Sequence, residues 1–228
     1  LIIAVIIRSL LIQPFYIPSS SMEPNLLVGD RLFVTKLSYG YSRHSFPFSP
    51  PIFDGRILNS KPSRGDIIVF KTPADNRTDY IKRLVGLPGD VIQFIDGEIY
   101  LNNNQIFRTV ISKSEELYCG PQKIEVITYE EKLPNGKNYI ASYRKDYTFM
   151  NSEKYTVPEN HFFFLGDNRD CSKDSRFLDD VGYVNNLNLV GEAKIIFFSN
   201  DTKNVSLLKF WNLQNSFRIE RKFQKLKW

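Results

Sequence analysis

The chain opens on an apolar run and then alternates short apolar segments with turns. Positions 1–12 contain a single charge, Arg8. Further along, "RLFVTKL" (31–37), "DIIVFK" (66–71) and "YIKRLVG" (80–86) are bounded by Gly, Pro and Asp. Short apolar segments of this length between turn residues are typical of strands. The pattern therefore predicts a mostly β fold.

The clearest local signal is a hairpin. Residues 91–95 and 98–101 flank Asp96-Gly97, a dipeptide that favours a two-residue β-turn. Asn102 to Asn104 should close the next turn.

Domain boundaries follow the strength of the apolar signal. It weakens after the hairpin and returns with "HFFFLGD" and "LVGEAKIIFFS". We therefore predict a catalytic core formed by residues 14–90 and 158–228. Residues 91–157 are predicted to form an inserted β-rich lobe.

The apolar run at the start has two interpretations. Twelve residues make about 18 Å of helix, whereas the hydrocarbon core of a bilayer is about 30 Å thick. Because the sequence starts with Leu, we interpret residues 1–13 as the C-terminal part of a transmembrane helix whose beginning lies upstream. A buried strand or core helix is the alternative.

The charge distribution points to a surface near the C-terminus. The net charge of +5 in 228 residues is modest. Residues 209–228 carry a net charge equal to this whole excess, with aromatic side chains between the basic ones and Glu220 as the one acid. This tail is predicted either to rest on anionic lipid, to contact nucleic acid, or to pack its aromatics as an ordinary terminus. The segments 45–53 and 207–217 are also aromatic and are predicted to dip into a lipid interface.

Cysteine and histidine are scarce. Cys119 and Cys171 are too few for a disulfide scaffold and lack the spacing of zinc ligands. They either pair in an oxidising compartment or stay free. His44 and His161 have no neighbouring ligand residues, so we expect no zinc site and no cofactor.

The loop "GDNRDCSKDSRF" (166–177) is rich in charge. Arginines and acids so close together predict ion pairs that hold the shape of the loop. Asp167, Asp170 and Asp174 are an alternative cation site, but the spacing lacks the glycine and terminal Glu of a calcium loop. We expect no metal here.

Three serines in a row, at 19–21, raise the question of a nucleophile. A serine hydroxyl needs a base, and no G-x-S-x-G motif surrounds these serines. In a strand over 80–86, Lys82 shares a face with Tyr80 and Leu84, and burial there would lower its pKa. The alternative is that Lys82 extends to water. A Ser-x-x-Lys pattern at Ser142 to Lys145 is interpreted as chance.

Four segments together resemble bacterial type I signal peptidases. These are "RSLLIQPFYIPSSSMEPNLLVGD", "SRGDIIVFK", "YIKRLVGLPGD" and "GDNRDCSKDSR", which stand in the order of that family's conserved segments. The resemblance implies a membrane-anchored Ser–Lys protease on the outer face of the cytoplasmic membrane. It also implies exported preproteins as substrates, cleaved after Ala-x-Ala-like motifs through an acyl-enzyme.

The resemblance assigns roles to individual residues. It makes Ser21 the nucleophile and Lys82 the general base, with the Ser19 hydroxyl beside the Ser21 N–H in an oxyanion hole. The supporting residues implied by the resemblance are Ser172, which bonds the lysine in that family, and the ion pair of Asp174 with Arg176. The side chains implied as walls of the substrate pockets are Ile17, Pro18, Met22, Leu26, Tyr80 and Ile81.

Two departures and one rival interpretation accompany the resemblance. Asn25 stands where the family more often has Thr, and Cys171 stands where Asn is more usual. The rival is a catalytically silent, membrane-anchored module that binds preproteins. We expect no nucleic-acid partner, because no helix-turn-helix is visible.

Overall fold

The described part of the chain is mostly β, and strands make up most of its regular secondary structure. The computed structural model describes residues 10–46, 49–51, 53–201 and 217–226. The strands are β1 Ile12–Tyr16, β2 Asp30–Thr35, β3 Ile67–Lys71, β4 Asp79–Gly86, β5 Val91–Ile95, β6 Glu98–Leu101, β7 Asn104–Gln105, β8 Phe107–Cys119, β9 Gln122–Lys132, β10 Asn138–Arg144, β11 Tyr155–Thr156, β12 His161–Leu165, β13 Val184–Asn185, β14 Leu189–Ser199 and β15 Gln224–Lys225. Short 3-10 helices span Arg43–Ser45, Arg169–Cys171, Asn186–Asn188 and Ile219–Arg221. The predicted mostly β class is confirmed.

Within these residues the strands form three sheets. The largest has eight strands in the order β1-β2-β14-β3-β4-β12-β13, with β15 paired to β14. A three-stranded sheet, β10-β9-β8, and a four-stranded sheet, β11-β5-β6-β7, are both formed by strands that lie between β4 and β12 in the sequence. The strands of the large sheet thus come from residues 12–86 and 161–225, and those of the two smaller sheets come from residues 91–156.

The three strands and the hairpin that the sequence predicts between residues 31 and 101 are present in the structure. The segments expected at 31–37, 66–71 and 80–86 form β2, β3 and β4, and the predicted hairpin forms β5 and β6. Asp96 and Gly97 have φ angles of 50° and 76°, the left-handed conformation that a type I′ turn requires.

Of the hydrophobic clusters among the described residues, three large ones support the sheets around β4. One underlies β1, β2 and β14 and contains Ile17, Met22 and Leu26. The second contains Leu84 and the third contains Val85, so consecutive residues of β4 enter different clusters. β4 therefore lies at the junction of the clusters, and its side chains alternate between them.

Only parts of the predicted transmembrane helix (1–13) and of the predicted lipid-interface segments (45–53 and 207–217) lie among the described residues. β1 begins at Ile12, inside the segment predicted as helix to residue 13, and residues 1–9 lie outside the described part. No helix in the described ranges is long and apolar enough to cross a membrane. Of the two aromatic segments predicted at the lipid interface, 207–216 lies outside the described part and so do residues 47, 48 and 52.

Residues 217–226 of the basic tail pack against the core. Arg221 forms an ion pair with buried Asp30 at 2.6 Å and donates to the Asn25 carbonyl at 2.9 Å. Arg218 donates to the Val28 carbonyl at 2.9 Å. These two arginines therefore hold the tail against the segment that follows β1.

Candidate active site

The segment after β1 carries the three serines across to β4. Ile17 N–H donates to the Asp30 carbonyl at 2.9 Å, and Leu26 N–H donates to the Met22 carbonyl at 2.9 Å. Met22 and Leu26 are fully buried, whereas Ser19 is exposed. The apolar residues on either side thus anchor a turn in which Ser19 is exposed, whereas Ser20 and Ser21 are only 4% and 7% exposed.

Lys82 meets Ser21 at this point. Lys82 lies on β4 opposite Ile68 of β3, and only 4% of its surface is exposed. Its Nζ donates to Ser21 Oγ at 2.6 Å and lies 5.5 Å from the centre of the Tyr80 ring. The shared face of Tyr80 and Lys82 is what the period of two predicts. Lys82 does not extend to water.

The environment of Lys82 favours the neutral amine. Burial lowers its pKa to about 8, from 10.5. The charges of Asp174 and Asp167 act in the opposite direction and Arg176 adds to the lowering, so burial outweighs the two carboxylates. An appreciable fraction of Lys82 is therefore neutral near neutral pH and can accept a proton from Ser21.

An open groove of about 600 Å³ borders both residues, which are themselves largely buried. Ser19 lies beside it, with its Oγ 3.4 Å from Ser21 Oγ. The groove is lined by Phe15, Tyr16, Ile17, Pro18, Ser19, Ser21, Val69, Thr78, Asp79, Tyr80, Ile81, Lys82, Cys171 and Lys173. Met22 and Leu26, which the resemblance places in the pocket walls, are buried in the cluster behind it.

The loop that follows β12 lies next to Ser21 and Lys82. Asp174 accepts from Arg176 Nε at 2.8 Å and from the Gly166 N–H at 2.9 Å. Burial alone would raise the pKa of Asp174, but Arg176 and these hydrogen bonds bring it below its ordinary value. Asp174 is therefore ionised and fixed, as the predicted loop-shaping ion pair requires.

Ser172 lies against the dyad without bonding the lysine in the structure. Its Oγ is buried and makes no hydrogen bond of regular geometry, although it is near enough to Asp174 to help lower the pKa of that carboxyl. The contact that the resemblance implies between Ser172 and Lys82 is not among the hydrogen bonds formed.

Gly166 is a site residue that the sequence reasoning did not single out. A Cβ on this residue would lie 2.1 Å from Ser172 Oγ and 2.6 Å from the Ser21 carbonyl oxygen. No side chain fits between two such close neighbours. A glycine at the end of an apolar strand is the available signal, since it often marks a close approach of backbones.

Asn168 was not singled out from the sequence, and Asp167 was considered only as part of an alternative cation site. Asn168 N–H donates to the Ser21 carbonyl at 3.1 Å, and its side-chain amide donates to the Ser20 carbonyl at 3.1 Å. Asp167 accepts two hydrogen bonds of 2.7 Å from buried Arg83, the neighbour of Lys82 on β4. The 166–177 loop thus forms hydrogen bonds both with the serine segment and with β4, the strand that carries Lys82.

Asn25 joins the same network. Its side-chain amide donates to Asp167 Oδ2 at 2.8 Å and to the Ile140 carbonyl at 2.6 Å. Asn25 therefore links the serine segment to the loop and to β10 of the lobe.

The two cysteines form a disulfide, which decides between the alternatives left by the sequence. Cys119 ends β8, and Cys171 ends the 3-10 helix of the loop, with a Cα–Cα distance of 5.3 Å. The bridge joins the lobe to the residue that precedes Ser172.

The rival nucleophile pattern does not form a dyad. Ser142 Oγ lies 3.3 Å from Thr128 Oγ1, whereas Lys145 Nζ bonds Glu125 at 2.9 Å. The histidines are also engaged elsewhere: His44 Nδ1 lies 2.9 Å from Ser49 Oγ, and His161 Nδ1 lies 2.8 Å from the Glu159 carbonyl oxygen.

The three aspartates proposed as an alternative cation site point to separate partners. Asp167 pairs with Arg83, Asp174 pairs with Arg176, and Asp170 accepts from backbone N–H groups of residues 144 and 149 at 2.9 and 3.0 Å. In the described part of the chain no group of three potential ligands converges on a metal position.

A serine hydroxyl bonded to a buried lysine in an open groove is the arrangement of a serine protease with lysine in place of histidine. The family described as "Signal peptidase, peptidase S26" matches residues 1–198. The chain belongs to this family of serine proteases.

Curated relatives of this chain are described as signal peptidases. "Signal peptidase I" of Rickettsia typhi (strain ATCC VR-144 / Wilmington) is 41% identical over 242 residues, covering 98% of this chain and 89% of the relative. "Signal peptidase I" of Rickettsia akari (strain Hartford) is 43% identical over 206 residues, covering 86% and 75%. A signal peptidase I crystal structure from Enterococcus faecalis V583 covers 58% of this chain and 97% of its own, at 26% identity and a TM-score of 0.36.

Proposed function

We propose that this protein is a membrane-bound endopeptidase that removes signal peptides from exported preproteins, with Ser21 as nucleophile and Lys82 as general base. The 2.6 Å hydrogen bond between the buried amine and the serine hydroxyl is the observation that carries the proposal. A nucleophile and a base within such reach are the geometric requirement for acyl transfer.

The reaction follows from this geometry. Neutral Lys82 takes the proton of Ser21 as Oγ attacks the scissile carbonyl, and the Ser19 hydroxyl and the Ser21 N–H stabilise the negative charge that develops on the carbonyl oxygen. The lysine then gives its proton to the leaving amine. A water activated by the same lysine releases the signal peptide from Ser21 and restores the free enzyme.

The groove supports a preference for small residues beside the cleaved bond. Ile17, Tyr80 and Ile81 line the groove next to the dyad, and their bulk leaves space for short side chains such as Ala. An extended preprotein segment lying along 15–19 and 80–82 would present alternate side chains to this wall. Cleavage after Ala-x-Ala is the expected result.

A membrane position is supported by the start of the chain. Leu10, Leu11, Ile12 and Tyr16 are 38 to 47% exposed and continue the apolar run of residues 1–9. A cluster of exposed apolar side chains at this end suits contact with lipid. We place the catalytic domain on the outer face of the cytoplasmic membrane, where preproteins emerge.

The test is cleavage of a preprotein with an Ala-x-Ala site by the full chain in detergent, with the new N-terminus identified by mass spectrometry. We expect cleavage after the second Ala, and a loss of more than about 10³-fold in kcat in both Ser21→Ala and Lys82→Ala, because the dyad acts as a unit. Ser142→Ala is the control and should cleave normally.

Two results would contradict the proposal. Cleavage that survives Lys82→Ala would mean that another group is the base. Binding of the preprotein without any turnover by the unmodified chain would favour the silent binding module instead.

A further inference from the structure

The Cys119–Cys171 bridge lies where three parts of the molecule meet. Cys119 belongs to the lobe, Cys171 to the loop that backs the dyad, and the Cys171 side chain also lines the substrate groove. Both cysteines are partly exposed. A small dithiol can therefore reach the bond from the groove side.

Hydrogen bonds around the bridge reach the nucleophile segment. Gly120 N–H donates to Ser20 Oγ at 3.4 Å, and the Asn168 amide donates to the Tyr118 carbonyl at 3.0 Å. The same amide donates to the Ser20 carbonyl. Residues 118–120 thus touch the serine turn and the loop at once.

The apolar support at this corner is small. Leu117, Ile124 and Val126 form the local cluster, and the two cysteines pack against it. β8 is the edge strand of its sheet, so it is held from one side only. At this corner the covalent bond acts together with the hydrogen bonds of Asn168 and Gly120 to hold the end of β8 against the loop and the serine turn.

The dyad tolerates little movement of that loop. Ser172 follows Cys171 directly and lies against Gly166, and the Asn168 N–H binds the Ser21 carbonyl at 3.1 Å. A shift of Cys171 would move Ser172 and loosen the backbone contact that holds Ser21. Misplacement of reacting groups by about 1 Å costs on the order of 10²-fold in rate.

We propose that the Cys119–Cys171 disulfide is a positioning element of the active site, so that its reduction slows the chemical step while substrate still binds. This inference rests on the proposed function. The strands that would receive the substrate, β1 and β4, are held by pairing with β2 and β3 and do not depend on the bridge. Loss of the bridge should therefore lower kcat more than it changes KM.

Reduction of the Cys119–Cys171 disulfide needs a two-electron reductant, which a dithiol supplies. A dithiol such as dithiothreitol supplies two electrons and two protons, the S–S bond breaks, and Cys119 and Cys171 become thiols. The dithiol itself closes to a cyclic disulfide. Reoxidation by an added disulfide compound reverses these steps.

The experiment compares oxidised, reduced and reoxidised full chain on the same preprotein, with the thiol count verified by mass spectrometry. We expect reduction to lower kcat about tenfold, to change KM less than about threefold, and to be reversed by reoxidation. The double variant Cys119→Ser with Cys171→Ser should have the low kcat in every condition, which controls for effects of the reductant.

The outcomes separate this inference from the proposed function. If the oxidised chain does not cleave, the proposed function itself fails. If oxidised and reduced chains cleave with kcat within twofold, the function stands and the positioning role is overturned. A rise in KM alone, or a loss of circular dichroism on reduction, would also overturn it, since the bridge would then shape the groove or staple the whole fold.

Discussion

At the scale of single residues, the site depends on groups that combine burial with one well-placed partner. Lys82 is buried like a core side chain, and burial lowers its pKa to about 8 although two carboxylates oppose this. Asp174 is equally buried, but Arg176 keeps it ionised. Similar burial thus brings the pKa of the lysine closer to neutrality in one case and leaves a fixed anion in the other, because only the aspartate has a counter-ion in contact.

Gly166 gives a sharp residue-scale prediction. Gly166→Ala should lower kcat at least about a hundredfold, because the new methyl group would displace Ser172 and the Ser21 carbonyl. The stability should fall by about 1–3 kcal/mol. The measurement is the rate of preprotein cleavage below the melting temperature of the variant.

Gly86→Ala is the matched control for that prediction. Its Cβ would lie 2.6 Å from Ile92 Cδ1 and 2.8 Å from Phe163 Cβ, a similar crowding in the core away from Ser21. It should lose stability and keep most of its kcat. Equal loss of kcat in both variants would mean that crowding anywhere in the fold disables the enzyme.

At the scale of elements, the lobe is tied to the catalytic loop by buried charge. Arg169 donates to Glu131 of β9 at 2.7 and 2.9 Å and to the Tyr139 hydroxyl of β10 at 2.8 Å. Tyr143 Oη also donates to Glu131. Since all these side chains are buried, the ion pair has no water to replace a lost partner.

Glu131→Ala tests this tie. Removal of one partner of a buried pair should lower the free energy of unfolding by about 3–5 kcal/mol, because Arg169 is left buried without its counter-ion. Glu125→Ala on the same strand removes an exposed pair with Lys145, which should cost at most about 1 kcal/mol. Denaturant unfolding measures the free energy of unfolding of each variant. Similar losses in the two variants would contradict the stabilising role of the buried Arg169–Glu131 pair.

At the scale of the whole molecule, local patterns were predictable and long-range contacts were not. The Asp96–Gly97 hairpin and the face of Lys82 follow from turn chemistry and a period of two. β8 and β9 escaped notice as long strands, because most β8 side chains are exposed and show no apolar alternation. The pairing of Arg83 with Asp167, and of Cys119 with Cys171, joins residues that are distant in sequence, and local patterns carry no signal for such pairs.

The roles of Ser21 and Lys82 came from the resemblance, and the structure adds the geometry between them. No pattern within the chain places the serine turn over β4, since β2, β14 and β3 lie between β1 and β4 in the sheet. Gly166 and Asn168 act through backbone contacts that become visible only once the loop and the turn lie together.

The pH dependence of kcat/KM for preprotein cleavage tests the central claim, that Lys82 acts as the neutral base for Ser21, most directly. Because the protonated amine cannot accept the serine proton, the rate should rise about tenfold per pH unit below the pKa of about 8 and level off above it. A rate that does not change between about pH 6 and pH 9 would contradict the assignment of Lys82 as the base.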